Sequence, residues 1–250
     1  MIKTIFIISL FFNCIFSQNE NSEKILFIGN SFTFYWNLPL IVESMANERG
    51  HNFDIYQSTA SSSSLKDHWF ENNQIKSKTL ISNSAFNRVV LQDHSKNPLQ
   101  NYEESKEYFM KFIDYIKLNN GIPYIYTTWM YEGITNNQYD VLDPMNHTLK
   151  PLAEKTGAIL VPIDKVFRIF QQRYPTIPIF TMDSKHPSPA GIYLAACVFF
   201  RIFTGDSPLG LSKRYAREDE SGKKIFLGMV EESSAIKCQN IVDEILPKKL

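Results

Sequence analysis

Short runs of residues that are apolar on both faces recur along this chain, each followed by a longer stretch with helical spacing. KILFIG (24–29), the segment Phe53 to Gln57, NRVVLQ (87–92), IPYIYTTW (122–129) and AILVPI (158–163) have the length and composition of strands. Apolar periodicity predicts helices over about Leu38–Arg49, Lys66–Asn83 and Tyr102–Leu118, then about 143–156, 164–174, 189–204 and 232–246. Pro39 suits the start of the first, and Asn119-Asn120-Gly121 is a stop signal after the third. A strand apolar on both faces must be covered on both, and long crossovers between strands favour parallel pairing. The expected fold is therefore α/β, a three-layer α/β/α sandwich around a five-stranded, mostly parallel sheet. Thr59 to Leu65 (TASSSSL) is short enough for a loop, and the charged piece within 207–230 reads as a surface excursion. No repeat or long linker interrupts the pattern, so one domain is expected over 18–250.

The first seventeen residues stand apart. Lys3 precedes an apolar run of about 13 residues, and Ser17 is a small residue at a plausible cleavage point before a polar stretch. That layout predicts a signal peptide over 1–17 and a secreted or periplasmic mature chain. The run is short for a spanning helix, which needs ~20 residues, although a retained N-terminal anchor is the alternative. Cys14 raises a lipoprotein alternative, but Phe12 and Asn13 suit that cleavage signal poorly. No other stretch is apolar enough to span a membrane, so the mature chain is expected to have none.

The chain carries 26 Lys plus Arg against 26 Asp plus Glu, and removing 1–17 takes away one Lys and no acid, leaving a net charge of −1. Without a positive field, nucleic acid and anionic membranes are disfavoured partners. Export permits disulfides, but Cys197 and Cys238 are as well explained by two buried thiols as by a bridge. No CxxC or His/Cys cluster supports a metal site.

Active sites of open parallel sheets lie at the carboxyl ends of the strands, so the residues following each strand carry the functional reading. Ser31 follows the first strand, a serine run follows the second, and Gln92-Asp93-His94-Ser95 follows the third. Late in the chain, Asp183-Ser184-Lys185-His186-Pro187-Ser188-Pro189 precedes an apolar helix, with Ser188 as its N-cap and Pro189 at its first position. A serine hydroxyl needs a positioned base to become a nucleophile. Ser31 is the candidate nucleophile, His186 the base, and Asp183 the group that fixes the imidazole's tautomer. His94 and His68 are rival bases. Asp93 and His94 are adjacent, so a strand would aim them at opposite faces. His51 and His147 read as solvated.

The pair of blocks ILFIGNSFT and DSKHPSPAG, about 150 residues apart, resembles the SGNH hydrolases, the GDSL-like esterase and lipase superfamily. The resemblance implies a flavodoxin-like sheet, a Ser31–His186–Asp183 triad, and no metal or organic cofactor. The family normally adds a Gly after the second strand and an Asn in a GxND-like block after the third, whose N–H groups join the nucleophile's amide around the oxyanion. Here those positions read as serines and VVLQDHS, similar to a divergent subgroup. The implied oxyanion donors are the amides of Ser31 and of Ser62 or Ser63, and the side chain of Gln92.

Asn30, Trp36, His68 and Trp129 are candidate substrate contacts, and all three tryptophans (Trp36, Trp69, Trp129) fall near the expected catalytic edge. They could equally pack the core; exposed, they suit a sugar ring or a wall that limits acyl length. The expected activity is hydrolysis of a small-molecule or glycan ester by a secreted serine esterase, with carbohydrate deacetylation preferred by analogy. The alternatives are a lipase or thioesterase for longer acyl chains, and a catalytically weak carbohydrate-binding protein on the same fold.

Overall fold

A computed structural model of the chain describes residues 22–131, Ile134 and residues 142–247. The expected signal peptide at 1–17 lies outside the described residues. The chain opens with β1 (Glu23–Gly29), the one-turn α1 (Ser31–Phe34), α2 (Leu38–Glu48) and β2 (Phe53–Thr59). Helices α3 (Leu65–Phe70) and α4 (Ser77–Asn83) lead to β3 (Arg88–Leu91), followed by α5 (Asn97–Gln100), α6 (Tyr102–Leu118) and β4 (Ile122–Tyr126). Then come α7 (Pro144–Thr156), β5 (Ile159–Val161), α8 (Ile163–Arg173) and α9 (Pro189–Thr204). A hairpin of β6 (Arg214–Glu218) and β7 (Lys224–Met229) precedes α10 (Glu232–Ile245).

Strands β1 to β5 form one parallel sheet in the order β2-β1-β3-β4-β5, the doubly wound order of the flavodoxin-like sheet that the resemblance implies. Alternation along β1 builds both layers: Ile25 and Phe27 face one core with α2, α8, α9 and α10, while Leu26 and Ile28 face the other with α3, α4, α6 and α7. Helix α9 is apolar around most of its circumference because it lies sandwiched, with every residue from Gly191 to Phe203 buried.

Two expectations need correction. The helix predicted over Lys66–Asn83 is two helices, because Glu71 takes a left-handed φ of 54° and ends α3. Its carboxylate then turns forward to accept from the backbone N–H (2.7 Å) and hydroxyl (2.9 Å) of Thr79, capping the first turn of α4. The stretch 207–230 is a surface excursion only in part, being largely exposed but anchored. It contains the antiparallel β6–β7 hairpin, whose Tyr215 and Leu227 are buried in the α9 core. Cys197 and Cys238 are free, buried thiols rather than a bridge.

Candidate active site

The loop leaving β1 is tied down on three sides. A Cβ on Gly29 would collide with the side chains of Thr33 and Gln92, so no larger residue fits that approach. Asn30 caps α1 by accepting from the Phe32 N–H at 3.1 Å, and donates through Nδ2 to the carbonyl oxygens of Ser63 (3.0 Å) and Asp93 (3.5 Å). One amide thus links the loops that follow β1, β2 and β3. Ser31 is the first residue of α1, and among the described residues its N–H has no partner, as befits a first-turn amide.

The second half comes from the loop before α9. Asp183 Oδ1 accepts from the Thr181 hydroxyl (2.7 Å) and from the backbone N–H groups of Lys185 and His186 (both 2.9 Å). Ser188 caps α9 through Gly191 N (3.1 Å) and donates to the Pro178 carbonyl (2.7 Å). Two indoles brace the loop: Trp129 Nε1 donates to the Lys185 carbonyl and Trp36 Nε1 to the Pro187 carbonyl, each at 2.9 Å.

These loops bring Ser31, His186 and Asp183 together, 155 and 3 residues apart in sequence. His186 Nδ1 lies 2.6 Å from Asp183 Oδ2, and Nε2 lies 3.0 Å from the Ser31 hydroxyl. A carboxylate only accepts, so the imidazole proton sits on Nδ1 and the Nε2 lone pair faces the serine. Desolvation would raise the Asp183 pKa, but hydrogen bonds from His186, Thr181 and the two backbone amides outweigh it and hold the carboxyl well below the usual carboxylate range. The His186 ring is fenced by Tyr35, stacked at 4.4 Å and 12°, and by Phe32, edge-on at 5.5 Å and 82°.

Several other expected site residues lie elsewhere or do different work. Gln92 does not face the serine. It is fully buried, its Oε1 accepts from Asn30 N and Thr33 Oγ1 (both 2.9 Å), and its Nε2 donates to the Asp93 carbonyl. One of its two N–H donors is thus spent on the backbone, and the amide lies fully buried rather than open to substrate. Asn30, 3% exposed, is a brace rather than a substrate contact. His68 is neither base nor substrate contact: it is wholly buried, donating from Nε2 to the Gly29 carbonyl (3.0 Å), with Nδ1 2.7 Å from Ser77 Oγ. Burial lowers its pKa to about 4, which keeps it neutral. Trp129 is buried between Phe32 (4.6 Å) and Phe167 (4.7 Å), and Trp69 packs edge-on against Phe112 and Tyr115 of α6. Only Trp36 keeps a large exposed face, at 45%.

Ser62 is exposed at φ 59°, and its backbone N–H has no partner among the described residues. The serine occupies a left-handed position that glycine adopts more readily. His94 is half-buried; desolvation, then the charges of Lys185 and Lys96, lower its pKa against the pull of Asp93. His51 pairs with Asp206 at 2.8 Å. That Tyr35 packs on the base was not read from the sequence; its place four residues after the serine was the available signal. Among the described residues, no three His, Cys, Asp or Glu side chains converge as metal ligands would.

No family profile and no curated protein matches the chain. Solved structures do. A candidate SGNH hydrolase from Slackia heliotrinireducens is similar at 23% identity over 72% of this chain and 98% of its own, with a TM-score of 0.61. A DUF4886 family protein from Bacteroides uniformis ATCC 8492 matches at 14% identity over 90% of this chain and 94% of its own, with a TM-score of 0.68. The lipase/acylhydrolase from Enterococcus faecalis matches at 13% identity over 72% and 94%, with a TM-score of 0.57. At these identities the likeness is one of fold, and the chain has the SGNH hydrolase fold expected from its sequence.

Proposed function

We propose that this chain is a secreted serine esterase that removes acetyl groups from a carbohydrate. The observation that carries the esterase reading is the continuous hydrogen-bonded relay Ser31–His186–Asp183, with the lone pair of His186 facing the hydroxyl. In this reading Ser31 Oγ attacks the ester carbonyl carbon while its proton passes to His186 Nε2. Asp183, held ionised, stabilises the imidazolium. The oxyanion accepts from the unpartnered N–H groups of Ser31 and Ser62. Collapse of the tetrahedral intermediate breaks the bond to the alcohol oxygen, which takes the proton from His186. Water then attacks the acyl-enzyme, with His186 again as base, and releases the carboxylate.

Export rests on the signal-like segment at 1–17, and the sugar on Trp36, whose exposed ring lies one residue beyond the ring stacked on His186. A second reading, hydrolysis of longer acyl esters, is favoured by an apolar hollow of about 120 Å³ lined by Trp36, Ile41, Pro189, Ile192 and Phe226. A fluorophosphonate probe read by mass spectrometry tests the mechanism, with a single adduct on Ser31 expected. No adduct, together with undiminished ester hydrolysis by Ser31→Ala, would overturn it. Comparing p-nitrophenyl acetate with the octanoate tests acyl length; strong preference for octanoate would replace the deacetylase reading with the second.

A further inference from the structure

The relay leaves one degree of freedom of the base unexplained. The bond from Asp183 fixes His186 within the plane of its ring, but nothing in that bond resists tilting out of the plane. Asp183 itself stands on an exposed loop, its side chain 48% accessible. The restraint comes from Tyr35, whose ring lies flat on the imidazole at 4.4 Å and 12°. A flat contact of this kind opposes tilt, which the edge of Phe32 on its own does less well.

Tyr35 is held by an unusual backbone. The next two residues, Trp36 and Asn37, both adopt left-handed φ values of 48° and 58°, and neither is glycine. Consecutive residues in that region persist only where the surroundings over-determine them, and such strain gathers at functional sites. Two bonds over-determine this turn. Trp36 donates to the Pro187 carbonyl beside His186, and Asn37 Nδ2 donates to the Leu227 carbonyl at 2.9 Å. Leu227 is the extra residue of a bulge, since Tyr215 pairs with Gly228 and Ala216 with Phe226.

We propose that Tyr35 is a positioning residue for His186, its ring fixing the tilt of the imidazole, and that the bulged β6–β7 hairpin holds Tyr35 in place through Asn37. The inference rests on the esterase reading and gives the hairpin a part in catalysis. It is tested by measuring kcat and KM for p-nitrophenyl acetate in Tyr35→Phe, Tyr35→Leu, Tyr35→Ala and Asn37→Ala, beside Ser31→Ala. Misplacing a catalytic group by ~1 Å costs up to ~100-fold, so kcat is expected to fall ~10- to 100-fold in the Leu and Ala variants, with KM within ~2-fold. Phe keeps the flat ring and is expected to stay within ~2-fold of the parent, while Asn37→Ala falls between. The ring current of Tyr35 also shifts the His186 proton resonances upfield in NMR spectra; that shift should vanish in Tyr35→Leu and survive in Tyr35→Phe. Parental kcat in Tyr35→Leu, or equal losses in Phe and Leu, would overturn the proposal while an inert Ser31→Ala leaves the esterase reading standing. Full activity in Ser31→Ala would sink both.

Discussion

At the scale of single residues, the polar groups behind the serine loop decide between bracing and catalysis. Gln92 is fully buried and accepts from Asn30 N and Thr33 Oγ1. Gln92→Leu strands both donors, so chemical denaturation should show a loss of about 2–3 kcal/mol, the cost of buried unpaired polar groups. Unchanged stability with a lower kcat would instead restore its role as an oxyanion donor. His68 gives a pH signature. Its native pKa is pushed from 6.5 to about 4, chiefly by burial, so between those values the unfolded chain binds a proton that the native fold refuses. Stability therefore falls as pH drops through that window, by about 3 kcal/mol in all at 1.36 kcal/mol per unit. Asp164, buried and pushed from 3.8 to about 6, works the other way: its native carboxyl takes the proton first, and stability rises as pH falls from about 6 to 3.8. Asp164→Asn should thus steepen the fall in Tm between pH 6 and 4, and Tm measured across buffers checks it. An unchanged slope would mean that Asp164 titrates normally.

At the scale of elements, the α9 N-terminus is what anchors the histidine loop. Ser188 both caps the helix and reaches back to Pro178, and a Cβ on Gly191 would collide with the Ile179 carbonyl. Ser188→Ala is expected to cost about 1 kcal/mol, a typical N-cap loss. Gly191→Ala should cost about 1–3 kcal/mol, as overpacking does, and move the loop that carries His186. Thermal melts beside kcat would show activity falling more than stability in Gly191→Ala; equal, small effects would mean that the loop is set elsewhere. The elements most legible in sequence were those whose pattern is self-contained. α6 and α9 match their expected bounds because their apolar residues alone define a buried face. The break at Glu71 and the hairpin were not legible, since the first depends on a left-handed residue without glycine and the second pairs the charged RYARE of β6 with a short apolar run in β7.

At the scale of the molecule, the proposed export and the redox state meet in the two cysteines. Burial pushes both thiols up, and they are unbridged. Tm should therefore be the same with and without reductant, and a thiol reagent should label neither residue until the protein unfolds; rapid labelling of Cys197 or Cys238 in the native protein would contradict this packing. The sequence by itself determined the sheet, because runs apolar on both faces can be satisfied only between two layers of helices. It also determined the three residue types of the relay, because Ser31 follows a strand and Asp183-x-x-His186 fits one turn. What only the tertiary structure decided is which polar and aromatic side chains around the relay face the substrate. Asn30, His68, Gln92 and Trp129 follow strands or loops as site residues do, yet each turns inward to a partner distant in sequence. A buried polar atom takes whatever complementary group the packed fold presents to it, and no local pattern along the chain records that choice.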